Sequence, residues 1–261
     1  MSEDEASREA EAVLVEQRDR ILLITINRPE AKNAVNAAVS RGLADAMDRL
    51  DDDAGLSVGV LTGAGGSFCA GMDLKAFARG ENVVVEGRGM GFNEKPPVKP
   101  LIAAVEGYAL AGGTELALAT DLIVAANNSA FGIPEVKRGL VAGGGGLLRL
   151  PQRIPYAIAM ELALTGENLS AERAHALGLV NVLTEPGKAL DGALALAEKI
   201  TANGPLAVAA TKRIIVESRG WSPEEMWGKQ TKIMMPVFAS NDAKEGAIAF
   251  AEKRPPRWTG T

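Results

Sequence analysis

Apolar residues change their spacing repeatedly along this chain, and each change marks a new element. Residues 13–17 and 21–26 are β-rich runs split by the polar link Arg18-Asp19-Arg20, which predicts a hairpin. Asn27-Arg28-Pro29 ends it, because proline brings no N–H to a ladder. From Asn36 onward Val39, Leu43, Ala46, Met47 and Leu50 recur at helical spacing, so an amphipathic helix is expected up to the acidic run 51–53.

Residues 58–61 read as a buried strand, followed by a glycine-rich loop over 63–71 and a short helix from Asp73. Residues 80–100, with several Gly and three Pro, read as a long surface excursion, and loops of that length commonly flank a ligand site. Strands are expected at 101–105 and 122–126, a glycine-led helix at 112–119, and one helical turn at 134–137 before a second glycine cluster. Beyond Pro155 the pattern turns mostly helical: 157–164, 171–177 with Ser170 as N-cap, then 190–200, 206–216, 223–239 and 242–252, with one last strand at 180–183. The alternation predicts an α/β fold that is no tidy doubly wound sheet, and no fixed-period repeat is visible.

Composition narrows the chemistry. The 261 residues carry a net charge of -5, one His (His175) and one Cys (Cys69), too few of either for the usual zinc ligand sets, so no metal site is expected. The acidic total, the lack of a basic block and 4% aromatics argue against nucleic acid as a partner. The acidic start MSEDEASREAEA is unlike a secretory or transit peptide, and the apolar region 101–126 is broken by Glu106, Glu115 and Asp121. A soluble, reducing, cytoplasmic setting without a membrane span is the expectation.

The glycine segments come next. In Gly63–Leu74, Phe68 stands where a dinucleotide fingerprint needs its third glycine, and Met72-Asp73 follow where a phosphate loop needs Lys and Ser/Thr. Ala70-Gly71 before a helix, and Ala111-Gly112-Gly113 at the head of another, each leave amides free to donate. Two such sources could converge on one oxygen, or each could be only a tight turn. Glu115 and Glu135 lie in apolar surroundings that would raise a carboxyl pKa toward general acid–base use; the alternative for each is a first-turn Glu satisfying a helix dipole. His175 reads as a residue of a solvated helix face and Cys69 as a packing residue. No G-x-S-x-G nucleophile elbow occurs at the glycine segments.

Taken in order and spacing, Asn27-Arg28-Pro29, Asn33-Ala34-Val35-Asn36, residues 63–74, Ala104-Val105-Glu106-Gly107 running into 111–115 and Asp121, residues 131–135 with the glycine cluster 143–146, and the tail 245–254 resemble the crotonase (enoyl-CoA hydratase/isomerase) superfamily from about Val13 to the C-terminus. The resemblance implies a spiral of ββα units over residues 1–200 and a helical oligomerisation region over 201–261, assembled as a homotrimer or a dimer of trimers. It implies an acyl-CoA thioester as substrate with no separate cofactor. The thioester carbonyl would be held by the Met72 and Gly112 amides, with Glu115 activating water, Glu135 protonating C2 and Gly143 helping to hold the water. Lys32, Ala70, Asp73, Phe250 and Lys253 would meet the substrate or its CoA, the last two from an adjacent subunit. Both glutamates together look like a hydratase. An isomerase, a carnitinyl-CoA-type dehydratase, a silent acyl-CoA-binding protein and a peptidase on the same fold are the competing readings.

Overall fold

In the computed structural model, which describes residues 11–261, the hairpin forms where the pattern puts it. Most of the acidic head therefore lies outside the described residues. β1 (Val13–Arg18) and β2 (Ile21–Ile26) pair antiparallel, with Asp19 at φ 51° in the turn. Helix α1 (Ala37–Asp52) then buries Val39, Leu43, Ala46, Met47 and Leu50, and the Asn36 side chain accepts from the Val39 N–H at 3.0 Å as its N-cap.

From there one unit is used four times. A strand enters the large sheet, a short extended segment crosses to its neighbour, and a helix returns. After β2 the extended residue is Val35, then α1. After β3 (Val58–Gly63) it is Cys69, then α2 (Leu74–Ala78). After β4 (Leu101–Val105) it is β5 (Tyr108–Leu110), then α3 (Gly112–Ala119). After β6 (Leu122–Ala126) it is β7 (Ala130–Gly132), a 3-10 turn over Pro134–Arg138, then α4 (Gly146–Arg153). Parallel bridges Val35↔Met72 and Cys69↔Ala109 join one unit's extended segment to the next, which makes the arrangement a spiral. The strands begin at residues 21, 58, 101 and 122, so unequal loops hide the repeat from any fixed-period search.

Helix α5 (Tyr156–Thr165), strand β8 (Leu169–Ser170) and helix α6 (Ala171–Ala176) lead to β9 (Val182–Thr184). The six-stranded sheet has the order β1-β2-β3-β4-β6-β9, parallel after the first hairpin, and the small sheet the order β5-β7-β8. Parallel strands buried on both faces read as unbroken apolar runs, as β3, β4 and β6 do. One face of the large sheet is covered by α7 (Ala189–Thr201), where Ala193 and Ala197 pack on Leu23, Val60, Ile102 and Val124. The main core lies on the other face.

Residues 80–100 depart from a surface excursion. They form no regular element, yet Val83, Met90, Phe92 and Asn93 are buried, and Met90 and Phe92 join the main core. The segment is long because it crosses the molecule, with its apolar residues spaced too irregularly to show a period.

The chain ends in α8 (Pro205–Glu217), α9 (Met226–Phe238) and α10 (Asn241–Glu252). Residues 223–225, expected within α9, form the turn ahead of it. Lys212 ties α8 to the core through Asp121 at 2.7 Å and the Lys99 carbonyl at 2.9 Å, and the Trp258 indole donates to the Ala202 carbonyl at 2.8 Å. Neither α8 nor α9 has a buried residue. No helix among the described residues is long and apolar enough to cross a membrane.

Candidate active site

The two glycine segments meet. Gly71, at φ 99°, sits so close to the head of α3 that a Cβ on it would lie 2.7 Å from the Ala111 Cβ and 3.1 Å from the Gly112 nitrogen. Around this point Ala70 N–H donates to the Lys32 carbonyl at 3.0 Å, Asp73 N–H to Val35 at 2.9 Å and Ala111 N–H to Gly132 at 2.8 Å. The Met72 and Gly112 N–H groups have no acceptor among the described residues. Two free amides on converging segments, one at a helix N-terminus, form a ready site for partial negative charge on an oxygen.

The local chain is held hard. Ala111 stands at φ 50°, ψ -125°, a conformation that costs an L-residue about 1–3 kcal/mol, and it turns β5 into α3. Thr114 fastens the turn, its hydroxyl 2.5 Å from the Ala109 carbonyl and 2.8 Å from that of Gly132, and accepting from the Gly132 N–H at 2.9 Å. On the other segment, Asp73 caps α2 by accepting from Lys75 and Ala76 N–H at 3.0 and 3.1 Å, and pairs with Arg28 at 3.0 Å. Burial pushes the Asp73 carboxyl up, but these donors and Arg28 win and hold it below the usual 3.8. Buried Asn33 completes the frame, accepting from Arg28 N–H and donating to the Ala64 and Ser67 carbonyls.

Glu115, on the first turn of α3, is 3% exposed. Its Oε1 accepts from Gly146 N–H at 2.9 Å, and a Cβ on Gly144 would lie 2.6 Å from its Oε2. Burial raises its pKa above 4.5, against the pull of the Gly146 and Gly144 amides and the Arg149 charge. Half-buried Glu135, on the 3-10 turn, has an Oε2 that is buried and has no hydrogen-bond partner among the described residues. Its pKa is also raised, first by burial and then by the charge of Glu115. The Gly146 and Gly144 amides favour the ionised form of Glu115, and its charge in turn favours the protonated form of Glu135.

Lys32 lies at the rim, exposed, with Nζ 5.6 Å from the centroid of the Tyr108 ring, and its carbonyl anchors Ala70. Gly143 is exposed, and a Cβ there would meet only the Val141 carbonyl, at 4.0 Å; the glycines that touch Glu115 are Gly144 and Gly146. Phe250, 88% exposed, and Lys253, the left-handed C-cap of α10, sit on the terminal helix away from these contacts. Cys69 is fully buried and burial pushes its thiol up to about 12, so it stays protonated at neutral pH. His175 is exposed, its Nδ1 2.8 Å from the Val180 carbonyl.

Several contributors carry no sequence signal of their own. Asn93 donates from Nδ2 to the Gly144 carbonyl at 2.8 Å, and Arg149 donates to the Asn93 carbonyl at 2.5 Å, so residues 56 positions apart hold the loop against Glu115. An Asn in an irregular segment and an Arg on a short helix look like surface residues until the loops are folded together.

Two free amides on converging segments, with a buried and a half-buried glutamate on a ββα spiral, define a class. The sequence profile of the enoyl-CoA hydratase/isomerase family matches residues 16–261, and the chain belongs to that family, with the crotonase fold, and is an enzyme. It is 44% identical to enoyl-CoA hydratase EchA19 of Mycobacterium tuberculosis over 94% of this chain and 95% of that one. It is 42% identical to the carnitinyl-CoA dehydratase of Proteus mirabilis over 93% of this chain and 96% of that one. Among solved structures, enoyl-CoA hydratase EchA1 of Mycobacterium marinum superposes with a TM-score of 0.95 at 87% identity, covering 96% of this chain and 99% of that one.

Proposed function

We propose that this enzyme adds water reversibly across the C2=C3 bond of a 2-enoyl-CoA, with syn geometry, giving a 3-hydroxyacyl-CoA. The thioester oxygen accepts from Met72 and Gly112 N–H, which draws electron density from C3 and stabilises the enolate. One such donor is worth about 3 kcal/mol in the transition state. Ionised Glu115 takes a proton from a water whose oxygen bonds to C3, while Glu135 gives its proton to C2. The pair ends with its single proton exchanged from one carboxylate to the other. Gly143, next to the glycines that hold Glu115, is the proposed further partner of that water.

The observation that carries this reading is the buried Oε2 of Glu135, without a hydrogen-bond partner among the described residues and within the field of a Glu115 held by an amide. An isomerase needs one carboxylate; an acid–base pair of opposite protonation suits hydration. Dehydration of a carnitinyl-type thioester is the second reading, favoured by the dehydratase relatives, and it is the same chemistry run backward. CoA belongs to the substrate and no further cofactor is required. Ala70 borders the thioester, Asp73 supports Met72, and Lys32 contributes a local cation toward the nucleotide. Phe250 and Lys253 reach the CoA of an adjacent subunit in a trimer or dimer of trimers, with residues 201–261 as the assembly region. A cytoplasmic location accords with the free thiol. The test is hydration of short, medium, long and branched enoyl-CoA substrates by the wild type, Glu115→Gln and Glu135→Gln; undiminished rates in either variant would overturn the assignment.

A further inference from the structure

Arg149 sits where helix electrostatics disfavour a cation. It lies on the first turn of α4, at the positive end of the helix dipole, and is half-buried. Tertiary contacts hold it there. Gly145 stands at φ 96°, and a Cβ on it would overlap Nη1 of Arg149, so the guanidinium folds back against the Gly145 backbone. Nη2 donates to the Asn93 carbonyl at 2.5 Å, and Asn93, 2% exposed, donates from Nδ2 to the Gly144 carbonyl at 2.8 Å. Arg149 and Asn93 thus grip Gly144 and Gly145, directly before the Gly146 N–H that donates to Glu115 Oε1 at 2.9 Å.

The same cation acts on Glu115 without covering it. No ion pair joins the two among the described residues, yet the guanidinium, always charged, favours the carboxylate, and the Glu115 charge offsets part of the burial of Arg149. A direct bridge would occupy the oxygens that a base needs, whereas a charge at longer range leaves them open. The other charged group facing Glu115 is Glu135, from the 3-10 turn, which repels it. Helix α3 carries no further charge, and the segment over 80–100 brings the uncharged Met90 and Asn93 to Gly144. Arg138 faces Glu135, and Arg153, one turn on from Arg149, faces Arg149. Arg153 donates to the Leu118, Thr120 and Asp121 carbonyls at the end of α3, so α4 stays bolted to α3 when Arg149 is changed.

We propose that Arg149 is a positioning residue for the water-activating carboxylate: its fork braces Asn93 and Gly145 so that the Gly146 amide stays on Glu115, and its charge faces that carboxylate. This rests on the hydratase reading for the role of Glu115. The test records kcat and KM for crotonyl-CoA hydration across pH for wild type, Arg149→Met and Arg149→Lys. Arg149→Met is expected to lower kcat with little change in KM. Its kcat/KM should fall about ten-fold further on the acid side of the profile than on the plateau, because Glu115 without the cation takes its proton at higher pH. Arg149→Lys, which keeps the charge but not the planar fork, restores the acid limb and leaves kcat below wild type. An acid limb unmoved in Arg149→Met, even with every rate lowered by one common factor, would overturn the proposal. Should Arg149→Met not fold, Arg149→Lys decides, and a kcat equal to wild type would overturn the brace. Absence of hydration by the wild type would sink the hydratase reading alone. Carbon NMR titration of the Glu115 carboxyl, identified by its loss in Glu115→Gln, then decides the role of Arg149: a midpoint raised in Arg149→Met supports it, and an unchanged midpoint overturns it.

Discussion

The surroundings of Glu135 favour its protonated form. Its buried Oε2 lacks a hydrogen-bond partner among the described residues, and burial together with the Glu115 charge raises its pKa above 4.5, as burial does for Glu115. The folded chain thus holds these protons more tightly than the unfolded chain. The contribution of the pair to stability is greatest below pH 4.5 and declines as pH rises through the raised folded values. Glu135→Gln removes the cost of ionising that group, so its Tm should exceed that of wild type at about pH 8 and converge with it toward about pH 4. The same variant should lose hydration by about a hundred-fold or more. Thermal melts over pH, set beside initial rates, check both. In the wild type, activity should fall at low pH as Glu115 gains a proton and at high pH as Glu135 loses its own, with the acid limb above 4.5. Both glutamates were legible in the sequence because charge is rare in such apolar contexts. Asn93 and Arg149 were not, since their contacts exist only once loops about 50 residues apart are packed together.

At the scale of elements, the amide pair depends on two turns. Asp73→Ala removes the cap of α2 and the Arg28 pair, and should cost about 1–2 kcal/mol of stability. Because the cap adjoins Met72, kcat should fall by more than KM rises; melts and steady-state kinetics report the two effects separately. A loss of stability with kcat unchanged would mean that the Met72 amide is positioned by other contacts. Helix α1 was readable from periodicity, α3 from its glycine-led start, and the hairpin and the long strands from their apolar runs. Strands β5, β7 and β8 were not, because three or two residues are too few to display an alternation. Nor does anything in the residue Ala111 announce its positive φ, which the flanking strand and helix impose.

For the whole molecule, the contrast lies between a saturated core and an unsatisfied tail. Helices α8 and α9 have no fully buried residue, and Trp227 and Phe238 are 69% and 65% exposed. Apolar surface of this extent marks an interaction face. The proposed assembly predicts that wild type should sediment as a trimer or a multiple of it, and the double variant Trp227→Asp, Phe238→Asp as a 27.2 kDa single chain. A wild type that is itself monomeric would contradict the assembly. The helical character of the tail was plain in the sequence, and its tie to the core through Lys212 and Asp121, 91 residues apart, was not.

Proton NMR of the product formed from crotonyl-CoA and a long-chain 2-enoyl-CoA in D2O tests the paired-carboxylate chemistry most directly. The expected product is the 3-hydroxyacyl-CoA with one deuterium at C2 on the same face as the new hydroxyl. A double bond displaced to C3=C4 with no oxygen gained at C3, or both thioesters returned unchanged, would contradict it.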